Sequence, residues 1–237
     1  MHHGYYGTPP ARTVPAVMMS NCRAFSASTF AVTGLGYVLP WSVNAGFIAG
    51  KDRTLIVDTG SNFLSATTIC GFARCARPDS ILSVINTEKH FDHIGGNSYF
   101  SAQGIEISGH AGIERTHDEF QAEIRECNDL IADGVRRAQG EAAVFFSGTE
   151  LKMPDTAITQ DFRLELGECP VEVLLTPGHP ATYLSVWAIA DRVLFCGDWM
   201  SPTATYRIST PGDRRLENVD GFPRFACRHR RNLATRP

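Results

Sequence analysis

A cluster of ionisable side chains that directly follows an apolar segment constrains this chain more than any other feature. The apolar residues 81–85 lead into Thr-Glu-Lys-His-Phe-Asp-His-Ile-Gly-Gly-Asn at residues 87–97. Two carboxylates and two imidazoles fall within six residues there, namely Glu88, His90, Asp92 and His93. A strand that delivers such donors into a glycine-rich loop is typical of a catalytic metal site.

The segments before this cluster predict a βαβ unit. Residues 43–49 and 54–59 are predicted as strands, residues 63–76 as a helix, and residues 81–86 as the next buried strand. In open α/β sheets, chemistry collects at the carboxyl ends of the strands. Asp58 and the cluster both lie at such ends, so we expect them to be close in space.

The second half of the chain predicts further strands that also end in potential ligands. A helix is expected to start at residues 95–97. After it the sequence predicts a strand at 105–108, a helix at 111–137 and a flap or rim at 138–159. Four more strands are predicted, at 161–166, 171–176, 183–189 and 192–196. The strand from residue 171 runs into Thr-Pro-Gly-His, which ends at His179, and the last strand runs into Cys-Gly-Asp, which ends at Asp198.

The spacing of the cluster favours two neighbouring metal ions. In an extended segment alternate side chains point the same way, so Glu88, His90 and Asp92 converge while His93 turns to an adjacent position. Such a split set suits two metals about 3.5–4 Å apart, each completed by a distant ligand. A metal held in this way lowers the pKa of bound water to about 7 and polarises a carbonyl or phosphoryl oxygen, so the predicted reaction is hydrolysis.

The motifs together resemble one known family. Residues 88–93 resemble the HxHxDH signature of the metallo-β-lactamase superfamily, and Asp58-Thr59-Gly60 resembles its early structural aspartate. Residues 176–179 and 197–198 resemble its third and fourth motifs, so the match runs from about residue 43 to residue 198. The resemblance implies an α/β fold of the αββα sandwich type, with the metal site at one edge between two β-sheets.

The resemblance also implies a role for each motif residue. The metal ligands it implies are Glu88, His90, Asp92, His93, His179 and Asp198. Asp92 is the implied catalytic residue, because in the family this aspartate also orients the nucleophilic water. Asp58 is expected near the site without binding metal. The expected cofactor is zinc, as one or two ions.

Two departures from the family pattern affect the metal. Glu88 stands where the family has its first histidine, and a carboxylate is a harder donor that favours manganese or iron, unless Glu88 simply points to solvent. The family's fifth motif, a C-terminal histidine, has no match, since His229 lies in a basic segment. We therefore expect the chain to end just before that motif, by truncation or an altered reading frame, with the second metal site one ligand short.

The leading functional hypothesis is a hydrolase that uses metal-bound hydroxide on a thioester, lactone or β-lactam. The alternatives are a degenerate, non-catalytic binding protein and a mononuclear iron dioxygenase, both of the same fold. The expected partner is a small-molecule substrate. Since the net charge is −3 and no apolar run approaches the roughly 20 residues of a membrane span, neither nucleic acid nor a membrane is an expected partner.

Residues 1–20 lack the basic start and apolar centre of a signal peptide and are expected to form a flexible arm, with a single domain over residues 21–237. The cysteine count is odd, at seven, and no export signal is recognisable. Reduced thiols and a cytoplasmic location are therefore expected.

Overall fold

The computed structural model describes residues 20–36, 42–130, 149–176, 182–197, 206–208 and 216–218. One sheet contains β1 (Asn21–Ala24), β2 (Thr29–Gly36), β3 (Ser42–Ala49), β4 (Arg53–Val57), β5 (Ile81–Asn86), β6 (Ile107–His110) and β7 (Thr156–Ile158). A second sheet contains β8 (Phe162–Glu165), β9 (Pro170–Leu175), β10 (Leu184–Ala188) and β11 (Val193–Phe195). A separate pair is formed by β12 (Tyr206–Ile208) and β13 (Leu216–Asn218). The helices are α1 (Phe63–Ala76), α2 (Phe91–Ile94), α3 (Asn97–Ser101) and α4 (His117–Leu130).

The strand order places the polar cluster at the carboxyl ends of two central strands of the larger sheet. Its seven strands follow one another in chain order, with antiparallel pairing from β1 to β4 and parallel pairing from β4 to β7. Val57 at the end of β4 lies beside Ile85 near the end of β5. Asp58 and the residues that follow β5 therefore emerge side by side, as the βαβ pattern predicts.

Two apolar cores give the molecule its layers. One lies between the two sheets and joins side chains such as Val57 and Ile85 to Val186 and Phe195 of the smaller sheet. The other lies on the opposite face of the larger sheet, beneath α1 and α3. Strand β5 is buried on both faces from Leu82 to Asn86, which is characteristic of a central parallel strand. The described residues thus form the helix–sheet–sheet layers of the αββα sandwich.

The βαβ unit forms as its local sequence predicts. Helix α1 spans residues 63–76, and the Asn62 side chain accepts a hydrogen bond from the Ser65 backbone at 2.8 Å, which caps its first turn. The helix ends before Pro78, which has no backbone N–H and cannot continue a helix. Strand β5 occupies the predicted residues 81–86.

Other elements differ from the sequence prediction. Strands β1 and β2 were not predicted, because residues 21–36 contain Ser, Gly and Thr rather than a clean apolar alternation. The third parallel strand, β6, begins two residues later than expected, and α4 begins at His117 rather than at residue 111. The end of the predicted flap forms β7, which pairs with β6 as the edge strand of the larger sheet, so that part is not a flap. Residues 131–148, which hold the end of the predicted helix and the start of the predicted flap, lie outside the described residues.

The remaining sequence expectations concern the arm, the membrane and the thiols. Residues 1–19 of the predicted arm lie outside the described residues. None of the helices in the described part is long and apolar enough to cross a membrane. Five cysteines are free thiols there, at positions 22, 70, 75, 169 and 196.

Candidate metal centre

The polar cluster changes backbone conformation halfway along its length. His90 is still extended, with φ −66° and ψ 150°, and it precedes the single helical turn α2. Asp92 and His93 lie within that turn, so the expected alternation of an extended segment is wrong beyond His90. The turn is anchored by Phe91, a fully buried side chain whose ring meets the Phe120 ring edge-on at 6.2 Å.

The two glycines after α2 let this loop pack directly against the loop that follows β4. A Cβ atom on Gly95 would lie 2.3 Å from the Ser61 carbonyl oxygen, and one on Gly96 would lie 2.4 Å from the Thr59 carbonyl oxygen. Both distances are far below van der Waals contact, so only glycine fits without a shift of backbone. Thr59 N also donates to the His93 carbonyl at 2.9 Å, which joins the two loops.

Behind the loop, Asn97 organises a buried polar network. Its side-chain oxygen accepts from the Thr59 hydroxyl at 2.9 Å and from the Asn86 amide at 3.1 Å. Its amide nitrogen donates to Asn86 Oδ1 and to the Lys152 carbonyl, both at 2.9 Å. Thr59 Oγ1 and Asn86 Nδ2 also donate to the His93 carbonyl, at 3.0 and 3.2 Å. The backbone of His93 is therefore held from several directions.

Asp58 fixes the orientation of the His93 ring. The carboxylate is fully buried, sits at φ +63°, and accepts from Thr87 N and Thr87 Oγ1, both at 2.7 Å. Its Oδ2 atom also lies 2.8 Å from His93 Nδ1. Because a carboxylate can only accept, His93 Nδ1 carries the proton and directs Nε2 away from Asp58. A carboxylate that orients a histidine in this way is common behind metal-binding imidazoles.

Glu88 lies between the two histidines of the cluster. It is fully buried, so the alternative in which it points to solvent is wrong. One carboxylate oxygen contacts His90 Nδ1, and the other lies 3.1 Å from His93 Nε2. In neutral His93, Nε2 is itself an acceptor, so this contact requires a proton or a cation between the two atoms.

The rest of the cluster opens toward solvent on one side. Asp92 is 6% exposed, and its Oδ2 atom lies 3.8 Å from His93 Nε2. The His90 side chain is 37% exposed, which gives the cluster a solvent-facing member. The hydrogen bond to Glu88 raises the pKa of His90 above its ordinary value; burial opposes this shift, and the charges of Glu88 and Asp92 reinforce it.

The donor set fits a bound cation. Asp58, Glu88 and Asp92 are buried carboxylates around two imidazoles. Even with both rings protonated, three ionised carboxylates leave the group negative, and buried negative charge is costly unless it is compensated. Within the described ranges, no three ligand side chains already surround a common metal position, and Glu88 contacts both His90 and His93 directly.

The predicted distant ligands, His179 and Asp198, lie outside the described residues, as does His229. Their described neighbours do reach the cluster. Gly197 packs so closely on Thr87 that an added Cβ would lie 2.7 Å from the Thr87 hydroxyl. The Thr87 carbonyl accepts from Leu184 N at 2.8 Å, which ties the start of β10 to the same loop. Cys196, which directly follows β11, is fully buried.

Sequence reasoning did not identify the residues that hold the cluster in place. Asn86, Thr87 and Asn97 are all fully buried polar side chains. Thr87 bonds to Asp58, Asn86 donates to the His93 carbonyl, and Asn97 bonds to Asn86. The available signal was a run of polar residues at the end of a strand that is otherwise apolar. The hydrogen-bond partners of these side chains, however, depend on how α2 and α3 fold back onto β5.

Comparison with known proteins gives one family and one fold. A sequence profile described as the metallo-beta-lactamase superfamily matches residues 38–221. The hydroxyacylglutathione hydrolase of Rhodospirillum rubrum is 25% identical over 122 residues, which cover 50% of this chain and 34% of that relative. The chain thus matches about a third of the length of that relative.

Solved structures with a similar fold include two metallo-beta-lactamases. The enzyme from Pontibacter korlensis superposes with a TM-score of 0.54 at 16% identity, covering 76% of this chain and 71% of that one. The enzyme from Hirschia baltica gives a TM-score of 0.51 at 19% identity, covering 75% and 70%. At these identities the similarity establishes the fold alone.

Proposed function

Because the chain belongs to the metallo-beta-lactamase superfamily, we propose that it is a metal-dependent hydrolase of carbonyl substrates. The observation that carries the proposal is the buried group formed by Glu88, His90, Asp92 and His93 at the carboxyl end of β5. A hydrolase of this kind needs cation ligands beside an opening to solvent, and half-exposed His90 provides that opening.

We propose that these four residues hold the metal, with His179 and Asp198 as the further ligands. Zinc is the proposed ion, one or two per chain, and the carboxylate of Glu88 makes manganese or iron the alternatives. A bound divalent metal lowers the pKa of a coordinated water to about 7 and polarises a carbonyl oxygen. Asp58 acts through His93, because its hydrogen bond keeps His93 Nε2 directed at Glu88.

Asp92 is the proposed catalytic residue. Its carboxylate accepts a hydrogen bond from the attacking water, orients it toward the carbonyl carbon and takes up its proton. The scissile bond then breaks, and Asp92 passes that proton to the leaving atom. The relative from Rhodospirillum rubrum is named for hydrolysis of a hydroxyacyl conjugate of glutathione, so thioesters are the first substrates to test, followed by lactones and β-lactams.

The test is hydrolysis of a panel of thioesters, lactones and β-lactams by the full chain, before and after treatment with a chelator. We expect turnover that is lost with the metal and restored by adding Zn²⁺ or Mn²⁺. Asp92→Asn is expected to lower kcat by about 10²–10⁴-fold while leaving the fold intact. Asp118→Asn is the matched control, because Asp118 is exposed on α4 and is expected to leave kcat unchanged. Turnover that is insensitive to the chelator and to Asp92→Asn would refute the proposal.

Glu88 stands where the family has its first histidine, and this motivates a second candidate function, that of a non-catalytic binding protein of the same fold. The variant Glu88→His separates the two functions. A large gain in turnover would show an intact site whose ligand set limits the rate. A metal-loaded sample that stays inert with either residue would favour the binding protein, and iron as the native metal would favour a dioxygenase.

A further inference from the structure

A cavity of about 390 Å³ lies between the two sheets, away from the candidate metal centre. It is lined by β4, β5, β6 and β7 of the larger sheet and by β8 of the smaller one. Arg53, the first residue of β4, lines it, whereas Asp58 follows the last residue of that strand. Five residues of extended chain separate them by roughly 16 Å. At its other end the cavity is lined by Ile85, whose carbonyl accepts from Asp58 N at 2.9 Å, but none of the candidate ligands in residues 88–93 lines it.

One wall of the cavity is apolar. Leu55 and Ile85 contribute from the larger sheet, and Leu164 and Phe162 contribute from β8. Phe162 is 37% exposed, so its ring stands at the mouth. The volume falls within the range of about 300–1,000 Å³ that is usual for small-molecule sites, and those sites combine apolar walls with a few polar groups.

The larger sheet also presents a cation, a hydroxyl and an anion to the cavity. Arg53 is on β4, Ser83 on β5 and Glu106 just before β6, and β5 lies between the other two strands. Val84 N donates to the Glu106 carbonyl at 2.9 Å, and the parallel register places Glu106 level with Ser83. Arg53 pairs with Ile81, two residues nearer the start of β5.

Of these three polar groups, Ser83 is buried, Arg53 is half-buried and Glu106 is exposed. Ser83 is 7% exposed, and its hydroxyl has no hydrogen-bond partner among the residues that the structure describes. A buried hydroxyl without a partner costs free energy that a bound polar group would recover. In the same part of the chain, neither Arg53 nor Glu106 takes part in an ion pair, and the Glu106 carboxylate accepts only from the Thr156 hydroxyl, at 3.0 Å.

We propose that this cavity binds a free α-amino acid with an apolar side chain. The Arg53 guanidinium would pair with the α-carboxylate, and the Glu106 carboxylate with the α-ammonium group. The Ser83 hydroxyl would bond to the ligand between them. The side chain of the amino acid would pack against Leu164 and Phe162. A zwitterion matches opposite charges that face one cavity without contacting each other, whereas a simple anion would be repelled by Glu106.

The experiment is calorimetric titration of the full chain with L-leucine and L-phenylalanine. We expect a Kd below about 1 mM for at least one of them. The analogues 4-methylpentanoate and 3-methylbutylamine, which lack the ammonium and the carboxylate group of leucine, are expected to bind about tenfold or more weakly, since each loses a charge-assisted hydrogen bond.

Variants locate the site. Arg53→Gln and Glu106→Gln are each expected to weaken binding about tenfold or more. Arg163→Gln is the control, because Arg163 is an exposed residue of β8 that pairs with Glu165 and does not line the cavity. Binding that neither cavity variant weakens would overturn the proposal, as would the absence of binding at about 1 mM.

The analogue series keeps the proposal testable if a variant fails to fold, because it uses the unsubstituted chain. Equal affinity for leucine and for either analogue would overturn it. Removal of metal by a chelator is expected to leave the affinity for the amino acid unchanged. The amino acid site and the hydrolase function can therefore fail independently.

Discussion

Asn97→Ala should destabilise the protein more than any change to an exposed polar residue nearby. Asn97 is fully buried and takes part in four hydrogen bonds, to Thr59, to Lys152 and twice to Asn86. At about 0.5–1.5 kcal/mol each, their loss amounts to about 2–6 kcal/mol. Thr59 and the Asn86 amide retain the His93 carbonyl as a partner, which puts the expected loss at about 2–4 kcal/mol.

Urea denaturation with linear extrapolation measures this loss as a change in the free energy of unfolding. Asn97→Asp is a second variant of nearly the same shape, and it replaces an amide donor with a carboxylate oxygen facing two carbonyl oxygens. It should be at least as destabilising. Gln103→Ala is the control, since the exposed Gln103 side chain makes one hydrogen bond to Tyr99, and the expected loss is below about 0.5 kcal/mol. A loss below about 1 kcal/mol for Asn97→Ala, with an unchanged m-value, would refute the reasoning.

Two further predictions concern glycine packing and pH. Gly96→Ala should lower the free energy of unfolding by about 1–3 kcal/mol in the same assay, because the new Cβ would lie 2.4 Å from the Thr59 carbonyl oxygen. Gly71→Ala, whose Cβ would have nothing within 4 Å, should raise it by up to about 1 kcal/mol. Equal effects of the two substitutions would contradict the packing argument. Burial acts to raise the pKa of Asp191, but hydrogen bonds from Ser28, Thr29 and Ser26 together hold it below its ordinary value. A lowered pKa in the folded state adds stability above the unfolded value of about 3.9, and that stability disappears as the pH falls through the folded pKa. Asp191→Asn should therefore destabilise the protein at pH 7 and have progressively less effect in acid. Thermal unfolding of both proteins from pH 7 to pH 3 measures this. A difference in stability between them that is constant with pH would contradict the prediction.

Local sequence signals predict the central βαβ unit well. Helix α1 has a capping residue at Asn62 and a proline shortly after its end, and both act within a few residues along the chain. Strand β5 is apolar at four of its six positions and buried from Leu82 to Asn86, as expected for a strand covered on both faces. These elements follow from short-range chemistry, so one sequence is enough to find them.

The same signals do not predict contacts between distant segments. Strand β2 is held partly by Asp191, which accepts from the Ser28 hydroxyl across 163 residues of sequence. Asp191 itself belongs to the short turn between β10 and β11. No pattern in residues 21–36 indicates this partner, so β1 and β2 emerge only from the tertiary structure.

The candidate metal centre shows the same division. The types of ligand in residues 88–93 can be read from the sequence. The burial of Glu88 between His90 and His93 cannot, because it depends on α2 interrupting the extended segment after His90. The support from Asn97 likewise depends on α3 folding back onto β5.

Metal content by elemental analysis of the purified full chain tests the central claim most directly. If Glu88, His90, Asp92 and His93 hold a catalytic metal, we expect about one to two equivalents of Zn, Mn or Fe per chain. The double variant His90→Ala/His93→Ala should lose that metal while Asp118→Asn retains it. A protein that binds none of these metals at any stoichiometry, or a double variant that binds as much as the unsubstituted chain, would contradict the claim.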